Sequence, residues 1–165
     1  MNSIVIKTHL GCLRRRLDRI ESKKPITLED LLQDIDTQDI LALNLERSVQ
    51  LCVDIANHIL SSLDDAPAMS MAESFERLSE KKIIPDELDQ NLRRAVGFRN
   101  LSVHAYDKID WQLVWNILES DLHDLVRFIE LIEKFEDKEI STTHSFSILL
   151  HRSVVYPTSI SKFRL

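Results

Sequence analysis

Arg99-Asn100-Leu101-Ser102-Val103-His104-Ala105-Tyr106 is the stretch of this chain best equipped for chemistry. An arginine fork matches phosphate oxygens and never loses its charge, while an imidazole takes up or gives back a proton near neutral pH. Together they are the groups that acid–base chemistry at a phosphate requires, and the Asn100 amide can orient either. Asn100 and His104 are four residues apart and share a helix face. Arg99 and His104 are five apart and diverge by about 140° on an ideal helix. One straight helix cannot aim both at one atom. Either the helix ends near His104, or two copies of the stretch meet across a symmetry axis and make a composite site.

The element that must position these groups is a helix beginning at Pro85. Proline suits a first helical position, and Asp86, Glu87 and Asp89 occupy the first turn, where the helix dipole favours negative charge. At about 100° per residue, Leu88, Leu92, Ala95, Val96, Arg99 and Val103 fall on one stripe, with Arg99 in its middle. An arginine stands where a leucine is expected. A lone arginine there snorkels or pairs with a buried carboxylate. Beyond it, Tyr106-Asp107-Lys108-Ile109 breaks the helical period, and Asp110 is a good N-cap for the next helix. Tyr106 either packs its ring at the helix end or offers its hydroxyl to a second protein.

The order arginine, polar residue, three more, histidine, one more, tyrosine resembles the signature of HEPN ribonucleases, specifically the HepT-like toxins encoded beside a minimal nucleotidyltransferase antitoxin. The resemblance runs through Leu45-Glu46-Arg47 and Asp54-Ile55-Ala56-Asn57-His58 to the closing helix, over roughly residues 1 to 136. It implies an all-α fold, an antiparallel HEPN-type bundle of about five helices that forms a homodimer or higher assembly. It also implies a metal-independent endoribonuclease without a cofactor, with Arg99, Asn100 and His104 as its catalytic residues. A dimer would set two copies of His104 and of Arg99 around one cleft. The expected products are a 2′,3′-cyclic phosphate and a 5′-hydroxyl. By the same resemblance Tyr106 receives AMP from the cognate nucleotidyltransferase, and the added phosphate silences Arg99 and His104 by electrostatics.

The totals agree with such a protein. A chain of 165 residues is one domain's worth, and 44% hydrophobic residues with only two glycines suit a helix bundle. No run is long enough for a membrane span, and the N-terminus lacks the charged-then-apolar order of a signal peptide, so a cytoplasmic protein with no membrane partner is expected. Cys12 and Cys52 have no metal spacing and read as small buried hydrophobes. The net charge of -6 argues against DNA as a partner. Residues 138–165 sum to +3, which leaves -9 on residues 1–137. RNA would therefore be held in a local cleft, and Arg14-Arg15-Arg16 and Arg93-Arg94 are either its lining or plain solvated faces. The acidic body also suits a basic protein partner.

Periodicity predicts the remaining elements. A first helix runs from residue 2 to about residue 22 on Ile6, Leu10, Leu13, Leu17 and Ile20, stopping before Pro25. Thr27 with Glu29-Asp30 starts a short segment leading into a long helix from Thr37 to Ser62, whose seam is Leu45, Val49, Cys52, Ala56, Ile59 and Leu63. Asp54 and His58, one turn apart, lack further metal ligands and read as a structural hydrogen bond or an exposed pair. Ser70 to Glu80 forms a short helix on Phe75 and Leu78. After Asp110 a stripe of Trp111, Trp115, Leu118, Leu122, Leu125, Ile129 and Ile132 marks the clearest helix. A second stripe of Val114, Ile117, Phe128, Leu131 and Phe135 makes that helix central or shared with another subunit. Domain limits fall at 1–136 for the helical domain and 137–165 for a hydroxyl-rich tail or accessory segment, poorly ordered by composition.

Two rival functions fit the same helices: a non-catalytic HEPN-like module that assists a nucleotidyltransferase, and a structural dimerising bundle. Arg99, His104 and Tyr106 together favour the nuclease, because a binding module needs no histidine at that position.

Overall fold

The structure, a computed structural model, describes residues 3–63, 66–104 and 106–152; the side chains of Tyr106 and of residues 142–152 lie outside that description. The chain divides into two units, Met1–Ile132 and Glu133–Leu165. No strand occurs among the described residues.

Helix α1 (Ser3–Lys23) buries Ile6, Leu10, Leu13, Leu17 and Ile20, as its four-three spacing requires. Each fully buried aliphatic side chain of this kind is worth about 1.5–3 kcal/mol. The long central helix α3 (Ile35–Ser62) packs along α1 and also carries α4 and α5. Between them lies α2 (Leu28–Gln33), a helix that the sequence leaves as an unassigned segment. It forms because Thr27 and Asp30 close a capping box: Asp30 N–H donates to Thr27 Oγ1, and Thr27 N–H donates to Asp30 Oδ2, both at 3.1 Å. Leu31, fully buried, anchors it. Asp34 then ends α2 and caps α3, its Oδ1 accepting from Thr37 N–H at 3.0 Å and its Oδ2 from Thr37 Oγ1. These bonds, the hydroxyl's first, hold the Asp34 carboxyl below its ordinary pKa. So α3 starts two residues earlier than Thr37, which is the third residue of the helix.

The seam of α3 is buried as expected through Leu45, Val49, Cys52, Ala56 and Ile59, but Leu63 is the C-cap and exposed. Burial, with Asp54 as a lesser cause, pushes the Cys52 thiol far up. Cys12 differs from the expectation. It is only half-buried, and its Sγ accepts from Arg15 Nη2 at 3.0 Å.

Ser70 caps α4 (Met71–Glu80), whose Phe75 and Leu78 are fully buried. A closed motif ends it: Ile83 N–H reaches the Leu78 carbonyl at 2.9 Å and Lys82 N–H the Ser79 carbonyl at 2.8 Å. Lys82 holds the left-handed position there, with φ 58°, where glycine is usual. Helix α5 (Asp86–His104) comes next. Pro85 flanks its start, since the Pro85 carbonyl already accepts from Asp89 N–H at 3.1 Å.

After a 3₁₀ turn at Tyr106–Lys108, Asp110 caps α6 (Trp111–Asn116) through Gln112 and Leu113 N–H. A π-helical turn at Ile117–Asp121 joins α6 to α7 (Leu122–Arg152), so the predicted single helix carries an inserted wider turn. Counting α6, the π-turn and α7 as one rod, the described residues form six helical rods, and α2 is the addition to the five expected. Phe128 of α7 meets Phe75 of α4 edge-on, with ring centroids 6.1 Å apart, inside the core of the first unit. Residues 137–152 continue α7, where composition predicts a poorly ordered tail. Ser141 accommodates to the helix by returning its hydroxyl to the Asp137 carbonyl at 2.8 Å. Residues 153–165 of that predicted tail lie outside the described residues.

Candidate active site

Helix α5 is fixed by Leu88, Leu92 and Val96, all buried on the predicted stripe. The stripe then shifts. Val103 is exposed, while Phe98 and Ser102, which the sequence pattern does not single out, are buried. The Ser102 hydroxyl donates to the Arg99 carbonyl at 2.9 Å and so ties the last turn of the helix to the arginine's own backbone.

Arg99 is half-buried, with its Nε shielded from solvent and without a hydrogen-bond partner. Its Nη1 lies 3.5 Å from Asn100 Oδ1, the outer limit of a hydrogen bond. Among the described residues no carboxylate lies within ion-pair range of Arg99. The buried-ion-pair explanation for an arginine on this face therefore fails. An uncompensated, partly desolvated guanidinium is costly for folding, and an anion arriving at it recovers that cost.

Asn100 and His104 are both exposed, one turn apart, and His104 is the final residue of α5. Because the helix persists through His104, the divergence of about 140° from Arg99 persists too. Asn100 and His104 share a face, and one chain does not aim Arg99 and His104 at one atom. Tyr106 opens the 3₁₀ turn two residues after His104, the last residue of α5, and its side chain lies outside the described residues.

Residues of the two basic clusters make contacts within the fold. Arg16 donates to Asn44 Oδ1 at 3.3 Å, and Arg93 pairs with Asp89 at 3.4 Å and Glu76 at 3.7 Å. Burial raises the Asp89 pKa, with Arg93 opposing it. Arg94 donates to Asn91 Oδ1. Asp54 Oδ1 accepts from Gln50 Nε2 at 2.9 Å and not from His58, whose Nε2 is buried without a partner. Among the described residues no group of three or more His, Cys, Asp or Glu could hold a metal ion.

Comparison with known proteins shows which family the chain is similar to. The model of a family described as ribonuclease HepT-like matches residues 13–132. The chain belongs to the ribonuclease HepT-like family. It is thereby a ribonuclease with the HEPN fold, of the class whose members serve as toxins of toxin–antitoxin systems. An mRNA nuclease HepT of Shewanella oneidensis is 32% identical over 133 residues, which cover 81% of this chain and 98% of that protein. A tRNA nuclease HepT of Aphanizomenon flos-aquae is 30% identical over 132 residues, covering 80% and 90%. Among solved structures, the tri-AMPylated Shewanella oneidensis HEPN toxin in complex with MNT antitoxin superposes with a TM-score of 0.76 at 31% identity, covering 81% of this chain and 99% of that one. No helix among the described residues is long and apolar enough to cross a membrane.

Proposed function

We propose that this HepT-like ribonuclease cuts RNA at a site composed by two copies of the chain, without metal, and that its cognate nucleotidyltransferase silences it by AMP transfer to Tyr106. The observation that carries the first part is the partly buried Arg99 guanidinium without a carboxylate partner among the described residues, little more than one turn ahead of an exposed terminal His104. A second copy supplies what the helix geometry denies to one: another His104 on the far side of a bound phosphate.

In this reading one His104 accepts the proton of a ribose 2′-hydroxyl as its oxygen attacks the adjacent phosphorus. The bond to the 5′-oxygen breaks, and the second His104 delivers a proton to that leaving oxygen. Arg99 offsets the added negative charge of the phosphorane, and Asn100 orients the imidazole or the phosphate. A 2′,3′-cyclic phosphate and a 5′-hydroxyl result. Residues 1–136 carry this activity, with 137–165 an accessory segment, and the pair acts in the cytoplasm.

For silencing, the Tyr106 phenol oxygen bonds to the α-phosphorus of ATP, pyrophosphate leaves, and the phenolic proton passes to a base or water. The phosphate so attached competes for Arg99 and crowds His104. The test is cleavage of single-stranded RNA by purified protein in EDTA, with the 3′ ends identified as cyclic phosphates. A strict requirement for added divalent metal would overturn the mechanism.

A further inference from the structure

Between α3, α5 and the α6–α7 rod lies a cleft of about 370 Å³ that takes no part in the chemistry above. Its floor is apolar, with Leu92, Phe98, Leu113, Ile117 and Leu125 contributing, and its rim carries Asn91, Arg94, Asn116, Asp121 and Asp124. Phe98 lines it from a flank of α5 that by ideal geometry is about 160° from Asn100 and about 120° from His104. Two of the lining residues, Ile117 and Asp121, are the ends of the π-turn. Leu113 is 43% exposed at the mouth.

The polar rim is acidic in effect. Asn91 Nδ2 donates to Asp124 Oδ2 at 2.8 Å, and Asp121 Oδ1 accepts from Ser120 Oγ at 2.9 Å. Neither carboxylate has a cation within ion-pair range among the described residues, and Arg94, the rim's one base, is turned to the side-chain oxygen of Asn91. The segment from 110 to 132 holds Asp110, Glu119, Asp121, Asp124 and Glu130 against Arg127 alone. A nucleic-acid backbone is repelled by such a rim; a basic protein surface is attracted.

We infer that this cleft is the docking site of the nucleotidyltransferase, which seats an apolar side chain against Phe98, Leu113 and Ile117 and sets a lysine or arginine beside Asp121 and Asp124. The inference rests on the toxin–antitoxin reading and assigns it a surface. Position along the chain supports it. Tyr106 and Leu113 are seven residues apart, at most about 25 Å even if fully extended. A standard interface of about 800 Å² per partner is roughly 30 Å across, so an enzyme working on Tyr106 covers the start of α6 as well. Ile109, 8% exposed, pins the connection to the core, and the Asp110 cap fixes where α6 sets out, so the acceptor turn and the cleft mouth are held in one register.

The experiment uses the full chain and the purified nucleotidyltransferase, mixed without ATP so that only docking is read. Leu113→Arg and Asp121→Arg alter exposed side chains and leave the proposed catalytic residues intact. Expected are unchanged RNA cleavage, unchanged self-association by ultracentrifugation, and about tenfold or weaker binding to the nucleotidyltransferase by calorimetry, the scale of a hot-spot side chain. If Leu113→Arg does not fold, Asp121→Asn decides by a smaller loss that shrinks at high salt. Wild-type affinity in the variants overturns the assignment. So does a change in self-association at constant partner affinity, which gives the cleft to a second copy, or a loss of RNA binding, which gives it to substrate. A wild-type protein that binds the nucleotidyltransferase through this cleft yet cuts no RNA sinks the nuclease mechanism alone. One that cuts RNA yet binds no nucleotidyltransferase sinks the docking site alone.

Discussion

Lys24 donates from Nζ to the carbonyl oxygen of Leu118 at 3.0 Å and pairs with Glu119 at 2.8 Å. In an α-helix that carbonyl would accept from Leu122 N–H, but across the π-turn Leu122 N–H goes to Ile117 instead. The ammonium thus occupies the acceptor that the wider turn sets free, and the loop after α1 is bolted to the α6–α7 rod. Lys24→Met keeps the aliphatic stem and removes the donor, leaving a partly buried carbonyl unpaired. It should lower stability by about 1–2 kcal/mol, read as a fall in the denaturation midpoint with an unchanged slope. Glu119→Gln should cost less, because the carbonyl bond survives.

Arg99 and His104 should each be indispensable to cleavage. Arg99→Ala or His104→Ala is expected to lower the rate by about 10²-fold or more, and Asn100→Ala by less. Mixing His104→Ala chains with wild-type chains separates a composite site from a single-chain one. Because the proposed cleft draws on His104 of both chains, the mixed dimer should be as impaired as the variant, whereas a single-chain site would leave it about half of the wild-type activity. Full activity in either single variant moves the chemistry elsewhere.

Lys82→Gly should stabilise the protein. The closed end of α4 needs a left-handed residue at this position, and a lysine pays about 1 kcal/mol for a conformation that glycine adopts freely. Thermal unfolding should shift upward by a few degrees with RNA cleavage unchanged. A lower midpoint would mean that the Lys82–Asp86 pair, 3.8 Å apart at the surface, outweighs the backbone effect.

Tyr106→Phe tests the covalent switch. The ring stays and the acceptor oxygen goes, so mass added in AMP units on incubation with the nucleotidyltransferase and ATP should vanish. The variant should then remain toxic in cells that also make the partner. Equal silencing of the two forms would assign inhibition to occlusion.

Much of the bundle is legible in the order of the amino acids alone. Four-three spacing in Ile6, Leu10, Leu13, Leu17 and Ile20 has one solution, a buried face, and Asp110 and Ser70 announce helix starts by the chemistry of their side chains, whereas Thr27 marks only the start of a segment whose helix α2 the pattern leaves unassigned. What escapes is whatever depends on a partner far along the chain. The π-turn leaves the stripe of Leu118, Leu122 and Leu125 intact, so nothing local betrays it; its stabiliser, Lys24, lies 94 residues before Leu118. The stripe on α5 predicts burial for Val103 because periodicity continues there, although the packing that would cover it does not. Arg99 is the instructive case. Its place on an apolar face is visible in the sequence, but whether a carboxylate waits for it is a question of tertiary structure.

The one-residue spacer Ala105, between the end of α5 at His104 and the turn that opens at Tyr106, ties two fates together. If the histidine arms the toxin and the tyrosine carries its safety catch, a short in-frame deletion here damages weapon and catch in one event. A deletion that spans both codons removes both residues, whereas one confined to the Tyr106 codon, or a substitution there, leaves His104 without the residue proposed to restrain it.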